Sequence, residues 1–343
     1  MLKDNTTMEE KRPIDRIRES GGHAYIGTTE DGVIIEMKNI GGRLLIIKER
    51  SIYEMVYADT IDPGRKNINI PPTILKLIID KGSESEIVAR TFLTAQTIFR
   101  PEYLIDSINC DSVLSLVIDM LSDISLLEKE INEYQELEDK VSDEYGKRRA
   151  ERNSFQLPSI VNLESRCTTI FQKADHIEQI LMDIITRFYP HHGLTKQSHF
   201  LKFQEILKSN YGENDAFFEF ISKTIYFMRV VRELRNGLDH RLSTFKVTDF
   251  ELQKDGSVLS PTIELKHKDI KLERTSLSEF LKIMKINLIE IIEVTFAFLA
   301  GRNVKKDGMP YQLKEIPTDK RRYKFVRYSF WIPIGDNEGF YCQ

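Results

Sequence analysis

The sequence predicts a mainly α fold with α+β decorations: a helical bundle, a small N-terminal antiparallel sheet and a β-hairpin insertion. Three observations predict it. Apolar residues recur at three- and four-residue steps through 160–188 and 217–238, the mark of helices with one buried face. Between His23 and Ala58 the period falls to two, as in strands with one solvated face. Alternation returns between Phe245 and Arg274 before another apolar helix begins.

Taken in order, residues 1–20 read as a polar, charged leader, helical from Thr7 to Glu19 and without the apolar core of a signal peptide. Four strands are expected at 24–27, 32–36, 43–47 and 53–57, with turns at 30–32, 41–42 and 49–51. The turn glycines lack a Walker lysine and hydroxyl and any GxGxxG spacing, so hairpins explain them better than phosphate loops. Ile61-Asp62-Pro63-Gly64-Arg65 is a turn, and helices are expected at about 73–80, 84–99 and 102–122. From Leu127 to Tyr145 apolar positions thin amid dense charge, which predicts a protruding helical arm or a short coiled coil. Its basic end, Lys147 to Arg152, fits either an RNA or partner contact or plain solvated surface.

Ser154 to Pro158 reads as a linker. A strongly amphipathic helix follows from Ile160 to Phe188, with Glu164, Lys173, Asp175, Glu178 and Asp183 on its polar face. The turn Tyr189-Pro190-His191-His192-Gly193 ends it, and its adjacent histidines diverge too far to share a metal. A helix at 195–209 leads to the helix that Asn214 or Asp215 caps. The segments 246–252 and 262–266 then flank Lys254-Asp255-Gly256 as a hairpin. Ser276-Leu277-Ser278-Glu279 is a capping box for a helix to Ala300, apolar on nearly all sides. The aromatic tail fits strands packed on the N-terminal sheet or a partner better than a base-stacking surface. Four regions follow: 1–66, 67–153, 154–303 with the insertion at 245–274, and 304–343.

Composition sets limits. The formal net charge of -4 excludes a chain that binds nucleic acid by overall charge, so any RNA contact needs a local basic patch. Three scattered cysteines form no CxxC pair, which fits reduced thiols and a cytoplasmic location. The most hydrophobic run, Ile286 to Ala300, is interrupted by Asn287, Glu290 and Glu293 and is shorter than a bilayer span, so no membrane association is expected.

Function is placed at the end of the helix that begins near Asn214. Arg232, Arg235, Asn236, Asp239 and His240 form a polar stripe there, with Arg241 just beyond. Guanidinium groups hold phosphate oxygens through parallel hydrogen bonds, and imidazole moves protons near neutral pH. The same residues also fit an exposed Arg235–Asp239 ion pair beside a solvated helix end.

Arg235-Asn236-Gly237-Leu238-Asp239-His240 resembles the signature of the HEPN superfamily, an Arg followed after four to six residues by His, often with Asn next to the Arg. A second match, Arg187 to His192, lacks the Asn and is broken by Pro190. The resemblance covers roughly 159–301, and the insertion at 245–274 departs from the family pattern. It implies a helical bundle and a metal-independent endoribonuclease of the toxin or phage-defence kind, with no cofactor or metal. Arg235 and His240 would be catalytic, and Asn236, Arg232, Arg241 and Asp239 would bind substrate. RNA, a second copy of the chain and an antitoxin or other protein are the implied partners. Some members of the family keep the bundle without catalysis, so a non-catalytic interaction or nucleotide-binding module is the other expectation. Residues five apart leave a straight helix about 140° from each other. Arg235 and His240 therefore meet one phosphate only if the helix breaks at Gly237 or a second copy completes the site.

Overall fold

The computed structural model describes residues 11–20, 26–150, 156–195, 197–240, 244–306, 308–334 and 338–342. The fold is mixed α+β with helix predominating and several small antiparallel sheets, rather than a plain helical bundle. It divides into two compact units, Met1–Ser85 and Glu86–Gln343.

The first unit is a four-stranded antiparallel meander. Helix α1 (Pro13–Glu19) opens on Pro13, whose missing N–H costs nothing in a first turn. The strands β1 (Ile34–Ile40), β2 (Arg43–Lys48) and β3 (Ile52–Tyr57) pair in sequence order, and the one-turn helix α2 (Ala58–Ile61) follows. Leu45, Ile46 and Ile47 are buried, so β2 is the centre of this core. The fourth strand is β4 (Thr73–Ile79), which pairs with β3 from Thr73 to Ile79. A helix was the expectation for this stretch. Its seven residues are too short for a three-turn period, and the isoleucines favour a pleated, half-buried surface once an edge is offered. Of the strand expected at 24–27, Ala24 and Tyr25 lie outside the described residues, and Ile26 and Gly27 belong to no strand.

The second unit begins with α3 (Glu86–Val88), a π-helical turn (Ala89–Leu93) and α4 (Thr94–Ile98). Helix α5 (Cys110–Ala150) is one continuous helix where two were expected, starting eight residues later than predicted because 101–109 form turns. Leu127, Ile131 and Tyr134 are buried, so what projects begins only after Glu138. The predicted arm is half core. The last two residues of the basic run, Glu151 and Arg152, lie outside the described residues, as does the start of the linker at 154–158.

Helix α6 (Leu163–Phe188) buries its apolar stripe against α5, and α7 (His199–Tyr211) returns to meet α8 (Ala216–Asp239). The insertion is richer than a hairpin. Strands β5 (Phe245–Thr248), β8 (Thr262–His267) and β9 (Ile270–Ser276) form one sheet, and β6 (Glu251–Leu252) with β7 (Val258–Leu259) caps it. Ser276 accepts a hydrogen bond from the Glu279 amide at 3.3 Å and opens α9 (Leu277–Arg302). This helix packs on α4, α5, α6 and α8, the central place its apolar surface predicts. Phe99, Phe188 and Phe296 meet there, with ring centroids 5.2 and 5.1 Å apart from Phe99.

The tail forms its own sheet of β10 (Gln312–Glu315), β11 (Tyr328–Ile334) and β12 (Glu338–Cys342), and packs on α4 and α9. Phe330 is buried against Tyr103 at 4.6 Å, and Arg327 bonds Glu293 of α9 at 2.9 and 2.6 Å. Aromatic residues in this tail therefore serve packing within the second unit. No helix among the described residues is long and apolar enough to cross a membrane.

Candidate functional site between helices α6 and α8

The carboxylate of Asp215 accepts from the Phe217 and Phe218 amides at 2.9 and 3.3 Å and so fixes the start of α8. From there the helix runs unbroken through Gly237 to Asp239, so of the two alternatives for the site the break at Gly237 does not occur. A side chain at 237 would place its Cβ 2.7 Å from Cβ of Phe245 on β5, well inside contact distance. Glycine stands in the motif to let the insertion sheet approach, not to bend the helix. His240 caps the helix end with its amide on the Asn236 carbonyl at 3.0 Å, and its imidazole is exposed. Arg241 lies outside the described residues.

Helices α6 and α8 run antiparallel, and their facing sides carry a ladder of charges. Asp175 and Glu178 on α6 are 4% and 1% exposed, although the sequence pattern put them on a polar outer face. They face α8 instead. Arg235 donates through Nη2 to Asp175 Oδ2 at 3.0 Å and through Nη1 to Asn236 Oδ1 at 3.0 Å, with Asp239 Oδ2 at 3.5 Å. Gln179 donates to the same Asp175 oxygen at 2.9 Å, and Gln172 to Asp239 at 3.3 Å. One turn earlier Arg232 donates to Glu178, and His199 Nδ1 of α7 lies 3.7 Å from that carboxylate.

The ladder follows from spacing. Asp175 and Glu178 are three apart, as are Arg232 and Arg235, so two antiparallel helices bring both pairs into register. That match was visible in the sequence as two equal intervals with opposite charge. Electrostatically the cluster is more than balanced: two guanidinium groups meet Asp175, Glu178 and Asp239. Arg235 nonetheless keeps 31% of its side chain exposed, and neither of its hydrogen bonds uses Nε.

A second polar group lies on the neighbouring face of α6. His176 Nδ1 sits 2.5 Å from Asp123 Oδ2 of α5, and Lys173 Nζ donates to Asp123 Oδ1 at 2.8 Å. Neither Asp123 nor His176 stands out in the sequence, because the partners are 53 residues apart. Between the start of α6, the end of α8 and β5, a groove of about 670 Å³ is lined by Glu164, Ser165, Thr168, Gly237, Phe245 and Lys246. Its charges balance, so it adds no basic track.

Other nucleophile and metal chemistry finds little here. Burial pushes the Cys167 thiol up to about 12, which leaves it protonated and inert. Among the described residues no group of three or more His, Cys, Asp and Glu is placed to hold a metal ion. The second motif match ends in a turn: Arg187 pairs only loosely with Asp183, at 3.6 Å, and Pro190–His192 forms a single 3-10 turn. Compared with known proteins, the chain matches no family model, no curated protein and no solved structure.

Proposed function

We propose that this chain is a metal-independent endoribonuclease of HEPN type, built on the end of α8. One observation carries the reading: Arg235 is held by a buried carboxylate and by Asn236, keeps 31% of its side chain exposed, and stands five residues before the exposed His240. A guanidinium held in this way is positioned for a phosphorane before substrate arrives, which is the form electrostatic catalysis takes. The ribose 2′-hydroxyl attacks the adjacent phosphorus, and His240 acts as general acid or base toward that hydroxyl or the leaving 5′-oxygen. Arg235 stabilises the charge that collects on the phosphoryl oxygens. Asn236 orients Arg235, Arg232 and Asp239 line the approach, and Arg241 is assigned the role of attracting the RNA backbone.

Because α8 is unbroken to Asp239, ideal helix geometry sends Arg235 and His240 about 140° apart, and the two do not converge on one phosphate within one chain. A homodimer with the two helix ends facing each other supplies the missing His240. The substrate class that fits is unpaired RNA, whose splayed bases leave the scissile backbone accessible. A role in a toxin or phage-defence system, with an antitoxin or other protein partner, belongs to the same proposal.

The charge balance favours a second reading, a non-catalytic interaction or nucleotide-binding module. Both motif arginines have carboxylate partners in their own chain, so neither is a spare cation for the RNA backbone. Cleavage of a structured RNA in EDTA separates the two readings, with wild type compared to Arg235→Ala and His240→Ala at equal folded concentration. The ribonuclease reading expects cleavage by wild type and its loss in both variants. Inert wild type across several RNAs leaves the module.

A further inference from the structure

Cleavage through the 2′-hydroxyl needs two proton transfers, one off the nucleophile and one onto the leaving oxygen. The motif offers one imidazole. The structure holds another beside the same ladder. His176 is 56% exposed, whereas the Asp123 carboxylate that it meets is 11% exposed and has its other oxygen occupied by Lys173. A carboxylate accepts hydrogen bonds, so Nδ1 of the ring is the donor, which leaves the Nε2 lone pair of a neutral ring without a partner in this contact on a side chain that is half exposed. This is how a carboxylate orients a histidine to act as a base.

The position suits the chemistry. Asp175 and His176 leave α6 100° apart, which on a helix about 10–12 Å across is a chord of about 8 Å. The Arg235 guanidinium that Asp175 holds therefore lies beside the face of α6 next to the one that carries His176. Gln179 and Gln172 border that face one turn above and below His176, their amides already fixed on Asp175 and Asp239. A continuous polar strip therefore joins Arg235 to His176 across α6.

We infer that His176, oriented by Asp123, is the general base of the site, acting on the ribose 2′-hydroxyl of single-stranded RNA while Arg235 holds the phosphate. This rests on the ribonuclease reading above. Nε2 of His176 takes the 2′-hydroxyl proton as the O2′–P bond forms. The P–O5′ bond breaks, and His240 of a second copy gives a proton to O5′. The products are a 2′,3′-cyclic phosphate and a 5′-hydroxyl, so atoms and charge balance without a metal or an oxidant. Asp123 is a positioning residue.

The test uses the full chain in EDTA with a fluorescent single-stranded RNA, comparing wild type, His176→Ala, Asp123→Asn and His240→Ala, each checked for its melting transition. His176→Ala is expected to lower kcat about 100-fold or more with KM little changed. Added imidazole restores part of that loss, which a purely structural role would not permit. Asp123→Asn lowers kcat in the same direction with an unchanged KM. If wild type and His240→Ala differ but His176→Ala stays within about threefold of wild type, the inference fails and the ribonuclease reading stands. If imidazole restores nothing, or only KM moves, the base role is likewise overturned. An inert wild type overturns both.

Discussion

Gly237→Ala tests the packing that places the motif, and its sign runs against ordinary helix chemistry. Alanine in a helix interior is favoured over glycine by about 1 kcal/mol. Here the added methyl would sit 2.7 and 2.8 Å from Cβ and Cγ of Phe245. Carbon atoms pack best at about 3.5–4.0 Å, so the shortfall is near 1 Å. The obstructing Cβ is attached directly to the β5 backbone, whose Phe245 is registered against Leu265, so no free rotamer relieves the contact. Overpacking of this kind costs about 1–3 kcal/mol, which outweighs the helix gain. We expect net destabilisation of about 1 kcal/mol, and no more than about 2, in urea unfolding followed by circular dichroism. Gly301→Ala is the internal control, since its new methyl would meet Leu313 at an ordinary 3.7 Å. It should be neutral or slightly stabilising. A Gly237→Ala protein more stable than wild type would refute the close approach of β5 to α8.

Three further predictions concern the buried charges and the thiol. Arg232→Ala strands the carboxylate of Glu178 in the core and should cost about 3 kcal/mol, whereas Arg232→Ala with Glu178→Gln should recover much of it; equal losses in the single and double variants would contradict this. Glu138 is buried with its Oε2 lacking a hydrogen-bond partner, and burial raises its pKa above the usual carboxylate value. Its folded form binds the proton more tightly than its unfolded form, so stability falls as pH rises from the ordinary carboxylate value through the raised one. Glu138→Gln should therefore stabilise the protein at pH 7.5 and make little difference near pH 4; equal melts at both values would contradict it. Cys167, pushed up to about 12, should resist alkylation at pH 8 until the chain unfolds, as mass spectrometry of the labelled peptide would report.

Much of this architecture is legible in local pattern. Asp215 as a cap, the stripe from Phe217 to Leu234 and Ser276 as a cap depend on neighbours within a turn or two, and each appears where the sequence places it, although of the expected capping box only the Ser276 half forms. The failures share a cause. Thr73–Ile79 is a strand because the edge of β3 recruits it, and a seven-residue window holds no record of that edge. Leu127–Tyr134 reads as a thin seam because α5 is covered there by α6 and α9, neither of which is near in sequence. Candidate site residues divide in the same way. The motif on α8 is contiguous and was readable. Its partners Asp175 and Glu178 were assigned to solvent, because a charged side chain on an amphipathic helix is normally placed on the wet face and only the matching arginines reverse that. Asp123 and His176 left no signal, since a single pair formed across two helices has no local period.

The most direct measurement identifies the ends left on RNA by the wild-type chain in EDTA. A synthetic RNA strand and the same strand with 2′-deoxy sugars throughout are incubated side by side, and products are resolved by mass spectrometry. Attack by the 2′-hydroxyl predicts 2′,3′-cyclic phosphate and 5′-hydroxyl ends on the RNA and an intact deoxy strand. Cleavage of the deoxy strand, ends with a 5′-phosphate, or no product unless a divalent metal is added would contradict the proposed chemistry at Arg235 and His240.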